Sequence, residues 1–146
     1  MRKAVLSVII AGLAVGFGGL SGWAAEGAKK AVDDRMHSLN DLVKKEKIMP
    51  EALKGVSIET GVPLREVQAM HEHFKDTGAA GLLVACVLAD ETKRAPEYFL
   101  KKHVDGGKDW TQLTIENRVP VEKVLQKLDS LGTHLSGPPV EVRPRR

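Results

Sequence analysis

Apolar residues along this chain recur at spacings of three and four, and nowhere in a sustained alternation of two, so the pattern predicts helices and no sheet. Leu39, Leu42 and Val43, with Met36, form the first apolar line. Lys44, Lys45 and Lys47 close that helix in its last turn, where cations suit the negative end of the helix dipole. Pro50 fits the first turn of a second helix. It presents Leu53, Val56 and Ile58 and stops at Thr60-Gly61, where glycine takes a left-handed cap. Pro63 opens a third helix with Leu64, Val67, Met70, His71 and Phe74 on one line, ending before Thr77-Gly78. Residues 81–93 are apolar on most sides, which predicts the most buried element. Pro96 opens a fifth helix with Tyr98, Phe99, Leu100 and Val104, and Gly106-Gly107 breaks it. Trp110, Leu113 and Ile115 mark a short sixth. Pro120 starts the last, with Val121, Val124, Leu125, Leu128 and Leu131. The expected fold is all-α, with about seven helices.

The two ends of the chain break the periodicity in different ways. Met1-Arg2-Lys3 is basic, Ala4 to Leu20 is uncharged and apolar, and Ser21 to Ala25 is rich in small residues. That order predicts a secretory signal peptide over residues 1–24, with Gly22 and Ala24 at the two small-residue positions of the cut. An inner-membrane anchor over residues 4–25 is the alternative, because 22 uncharged residues are long enough to span. Five glycines between Gly12 and Gly22 make the second half of that run a poor helix. Either way the remainder is expected outside the cytoplasm, as a periplasmic or secreted protein. Residues 25–36 are read as a flexible lead-in, 37–134 as the helical domain, and 135–146, with Gly137-Pro138-Pro139 and Pro144, as a disordered basic tail.

The chain also resembles itself. Ser57-Ile58-Glu59-Thr60-Gly61-Val62-Pro63-Leu64-Arg65-Glu66-Val67 returns, 57 residues on and without a gap, as Thr114-Ile115-Glu116-Asn117-Arg118-Val119-Pro120-Val121-Glu122-Lys123-Val124. The same offset carries Lys44-Lys45 onto Lys101-Lys102 and Leu42-Val43 onto Phe99-Leu100. Residues 39–75 and 96–132 are therefore read as two copies of one three-helix unit, joined by the buried helix 81–93. In each copy a helix ends at a cap, one valine turns the chain, and proline starts the next helix. Val56, Ser57, Gly61, Val62 and Val67 fall where the helix-turn-helix superfamily has apolar, small, glycine, apolar and apolar residues, and the first copy resembles that motif. The second departs from it, with Arg118 in place of the glycine and Asn117 as cap. The stretch from Leu82 through Val124 also resembles exported bacterial proteins in which an apolar helix precedes a basic turn, a tryptophan and a short helix ending near Val-Pro. Neither resemblance implies a reaction.

Composition narrows the function. Aromatic residues are 4% of the chain, so the core is aliphatic. The formal charge of +3 comes from the ends. Without Arg2, Lys3, Arg143, Arg145, Arg146 and Glu141, 17 basic residues face 18 acidic ones. A balanced domain lacks the electrostatic footprint of a nucleic-acid binder. On the two helices that would read DNA, Arg65 and Lys75 are offset by Glu66 and Glu72, and Lys123 and Lys127 by Glu122 and Asp129.

Chemical groups are present without the spacing that would join them. His71 and His73 point about 200° apart on a helix and do not share an ion, and Asp90 and Glu91 diverge by about 100°. His37, His103 and His134 are dispersed. Gly106-Gly107-Lys108 lacks the rest of a phosphate loop and reads as a turn. Cys86, the one cysteine, lies in an apolar run and reads as a small buried residue. Trp110 is expected to fill the gap between two helices of its unit, where the first unit has Leu53. No catalytic, cofactor-binding or metal-ligating set emerges, and no partner-binding residues are assigned. The expected role is a non-catalytic protein-interaction or structural module of the periplasm or cell envelope, with an unidentified protein partner and membrane contact only through an uncleaved leader. The alternatives are a membrane-tethered helix-turn-helix regulator and an enzyme whose site is not recognised. Expression of the full chain followed by mass measurement of the exported product tests the leader: the expected species begins at Ala25, and a product retaining residues 1–24 contradicts the cut.

Overall fold

The computed structural model of the chain describes residues 30–136. They form seven α-helices and one 3-10 turn, with no strand among the described residues. The helices are α1 (30–46), α2 (Met49–Thr60), α3 (Leu64–His73), α4 (Gly78–Thr92), α5 (Pro96–Val104), α6 (Trp110–Glu116) and α7 (Val121–Ser136), with the 3-10 turn at Lys75–Thr77. The expected leader, and the tail from residue 137 on, lie outside the described residues.

α4 organises the rest. Every residue from Ala79 to Ala89 is buried, so this helix has no solvent face over three turns. α2, α3, α5, α6 and α7 all pack on it. α3, α2, α7 and α6 follow one another as an arc around it, each touching the next. Alanine, glycine and cysteine alternate with leucine and valine along α4, which lets several helices approach at once. α7 crosses α2 at Gly55, where a Cβ would fall 2.6 Å from Leu131 Cδ1.

α1 begins earlier than the apolar pattern indicates. Residues 30–36, expected as lead-in, are helical, and Val32 is fully buried in line with Met36, Leu39 and Val43. A single valine among charges gives no periodicity of its own, and its partners lie far along the chain. The same helix holds the starts of two others. The Asp33 carboxylate accepts the backbone N–H of Trp110 and of Thr111, each at 3.0 Å, and the Thr111 hydroxyl at 2.6 Å. It thereby caps α6, whose own N-cap residue Asp109 makes no side-chain bond. Seven residues on, and so on the same side of α1, Asn40 Oδ1 accepts the N–H of Ala80 at 3.1 Å while its Nδ2 donates to Thr77 O at 3.2 Å. That pair caps α4, which also has no local side-chain cap. Gly78 makes room for it: its φ is +73°, and a Cβ there would lie 2.4 Å from Asn40 Oδ1.

Other boundaries moved for local reasons. α3 stops at His73, because Phe74 leaves the helical region with φ −127°, and the 3-10 turn fills the interval to Gly78. α4 therefore starts three residues before Gly81. α7 runs on to Ser136, so residues 135 and 136, expected in the tail, are helical, and Leu135 packs on the core. Ile58, expected on the apolar line of α2, is 65% exposed, and Ile115 is 50% exposed. Each sits about 200° around its helix from a buried residue two positions earlier, Val56 or Leu113.

The two Val-Pro turns share their geometry. Gly61 has φ +74° and Arg118, 57 positions on, has φ +57°. Thr60 Oγ1 donates to Val56 O at 2.6 Å, and its counterpart Asn117 Nδ2 donates to Leu113 O at 2.7 Å. The N–H of Val67 reaches Pro63 O at 3.1 Å and that of Val124 reaches Pro120 O at 3.4 Å.

Asp33→Ala removes three bonds at a partly buried helix start and is expected to cost about 2 kcal/mol. Denaturant unfolding followed by Trp110 emission measures this. A change within about 0.3 kcal/mol would mean that the link between α1 and α6 carries no stability.

Candidate protein-interaction groove

The arc of helices around α4 leaves a gap between α3 and α5. It forms an open groove of about 610 Å³ running beside the second half of α4. Val62, Ala69, Met70, Phe74, Cys86 and Ala89 make its floor. Its walls are polar: Glu66 and His73 from α3, Asp90 and Lys93 at the end of α4, Arg94 and Glu97 at the start of α5. The floor is a direct result of α4 being apolar on all sides while its neighbours do not close the ring.

The wall charges are not equivalent. Lys93 Nζ lies 3.9 Å from Asp90 Oδ1, with both side chains well exposed, a contact worth little in water. The Arg94 guanidinium sits 4.6 Å from the centre of the Tyr98 ring, and Lys102 Nζ approaches the same ring at 5.5 Å. Glu66 and Glu97, on opposite walls, form no ion pair among the described residues. Both act on the floor. Burial pushes the Cys86 thiol up from 9.0 to about 12, and the negative charges of Glu97 and then Glu66 push in the same direction. Cys86 is 3% exposed and behaves as the small apolar residue its setting predicts.

The groups singled out in the sequence are placed apart. His73 is exposed on the groove wall, while His71 turns inward and its Nδ1 is enclosed without a hydrogen-bond partner. Asp90 faces Lys93, and Glu91 binds Lys123 at the start of α7, which raises the Lys123 ammonium above its ordinary value. His37 pairs with Asp41 at 3.2 Å on the surface. No group of three His, Cys, Asp or Glu side chains among the described residues could hold a metal ion.

Trp110 is 1% exposed and stacks on His103 with ring centroids 4.7 Å apart, so it fills the interior as expected. His103 Nδ1 lies 2.7 Å from Lys108 O, which ties the Gly106-Gly107-Lys108 turn down. Lys108 hydrogen-bonds Glu116 and holds that carboxyl below its usual range. Lys44, Lys45, Lys101 and Lys102 are all exposed.

A groove between residues 39–75 and 96–132 was among the surfaces expected to bind a partner, but the residues that line it were not assigned from sequence. Its α3 side is a stripe at four-residue spacing, exposed Glu66, buried Met70 and half-buried Phe74, which by spacing alone reads as an ordinary amphipathic face. No protein family, curated protein or solved structure matches the chain. No helix among the described residues is long and apolar enough to cross a membrane.

Because the folded thiol titrates above the unfolded one, the stability contributed by neutral Cys86 is complete below pH 9 and is lost between pH 9 and about 12. Cys86→Ala should flatten the stability profile across that window. At pH 8 the native thiol should alkylate at least about a hundredfold more slowly than in urea. Equal rates would place Cys86 at the surface.

Proposed function

We propose that this protein is an exported, non-catalytic protein-interaction module of the periplasm or cell envelope, built from two copies of a helix-turn-helix-like unit. The groove carries this reading: exposed Ala69 and half-buried Val62 and Phe74 lie over Met70, Cys86 and Ala89, bounded by charged side chains from three helices. An exposed apolar surface rimmed by polar groups is the ordinary signature of a site that another protein covers. The duplication draws support from the paired turns, in which Gly61 and Arg118 both adopt the left-handed region and Thr60 and Asn117 bond the carbonyl four residues back. An arginine accepting a conformation that favours glycine makes sense where an inherited turn dictates the backbone.

Export rests on the order of the first 24 residues, basic, apolar, then small. The DNA-binding alternative has less to stand on. On α3 the exposed charges include Arg65 against Glu66 and Glu72, a surface that does not neutralise phosphate.

Photo-crosslinking in the cell of origin tests the proposal. A crosslinking residue at Ala69 or His73 should yield a discrete heavier species in the envelope fraction, and one at exposed Glu46 or Ser130 should not. Equal labelling from all four positions, or none from the groove, would overturn it.

A further inference from the structure

We propose that the outer face of α5 docks the folded domain on an anionic phospholipid surface, through Arg94, Tyr98, Lys101 and Lys102. This adds a surface beside the groove and gives the domain a membrane contact that does not depend on the leader. α5 is amphipathic. Phe99 and Leu100 are buried and His103 is half-buried, while Tyr98, Lys101, Lys102 and Asp105 are exposed. At about 100° per residue those four span an arc of about 100°, with Lys101 and Lys102 on either side of Tyr98. With Gly106 they line one shallow, open depression. Arg94, just before the helix, reaches the same spot. Its guanidinium lies 4.6 Å from the centre of the Tyr98 ring, and Lys102 Nζ lies 5.5 Å from it. Tyr98 is 38% exposed, and Val104, on the flank of this face, is 53% exposed.

Arg94, Lys101 and Lys102 form no ion pair among the described residues, and Asp105 is the one acid of the depression. Glu97 lies on the groove side of the helix, and Glu116, whose charge Lys102 also feels, is bound by Lys108 at 2.8 Å. Two of the cations stand on one ring, no more than about 10 Å apart, which is about a Debye length at 0.1 M salt, so their repulsion is not screened away. A layer of phosphate groups relieves it. The depression is too open to enclose a small ligand, which points to an extended surface. Tyr98 and Val104 give that face apolar tips among its cations, the mixture that suits the level where lipid headgroups meet hydrocarbon. The positions 57 residues earlier differ in the way this role requires. There His37 and Asp41 stand for Arg94 and Tyr98 and pair with each other at 3.2 Å, beside Lys44 and Lys45. α5 thus has an aromatic ring in place of an acid and a permanent cation in place of a histidine. Its nine residues, about 14 Å, cover a few headgroups.

The test is co-sedimentation of the protein, purified as the cell exports it, with vesicles of phosphatidylcholine alone or of equimolar phosphatidylcholine and phosphatidylglycerol. Binding to the mixed vesicles should exceed binding to the neutral ones and fall as salt rises. A cation near an anionic bilayer is worth about fivefold in partitioning, so R94Q/K101Q/K102Q should lose about a hundredfold, and Asp105→Asn should bind about fivefold more tightly. Removing the same charge elsewhere, in K44Q/K45Q/K54Q, should change binding by less than about threefold. All seven positions are exposed, and unchanged circular dichroism separates loss of contact from loss of fold. A leader left on the protein would raise binding to both vesicles without changing the difference between the wild type and R94Q/K101Q/K102Q. No preference for phosphatidylglycerol, equal losses in the two triple variants, or weaker binding of Asp105→Asn would each overturn the proposal. So would release by free glycerol phosphate, which assigns the face to isolated phosphate groups, or binding of poly-glutamate without binding of vesicles, which assigns it to an acidic protein.

Discussion

A helix without a polar side has to be enclosed, and α4 imposes that condition on everything around it. Eleven successive residues, Ala79 to Ala89, are buried, so every direction from its axis needs apolar cover. The helices that touch it, α1 among them through Asn40, are arranged to supply that cover. Enclosure raises a second difficulty at the end of the helix, where the first N–H groups have no partner within the helix and reduced access to water. Asn40 answers it from α1, and Gly78 leaves the space to do so. The groove is the third consequence. Where the ring of neighbours is thinnest, between α3 and α5, Cys86 and Ala89 of α4 lie at the bottom of the groove while remaining buried. Burial, capping and the groove thus derive from one run of apolar residues.

Much of this arrangement can be read in the chain itself. Helix identity followed from apolar spacing, and the proline and glycine positions bracket α2, α3, α5 and α7 closely, because those residues act on the backbone locally. The burial of Trp110 and Cys86 likewise agreed with their apolar neighbours. What escaped was non-local. Asp33 and Asn40 look like solvated residues on a charged helix, and only the fold brings them to Thr111 and Ala80, 78 and 40 residues away. Phe74 continues the apolar line of α3 by spacing, yet its backbone leaves the helix. Glu66 and Glu97 are unremarkable among nineteen acids until the fold sets them on facing walls.

The Asp33 contact has a bearing on the order in which the molecule matures. α1 precedes the other helices in synthesis, but its carboxylate finds its amide donors only when residues 110 and 111 are present. The loop closed by that contact spans most of the domain, so closing it carries an entropic cost. Trp110 sits at the point of closure and is the only tryptophan among the described residues, which makes its emission a built-in reporter of that closure.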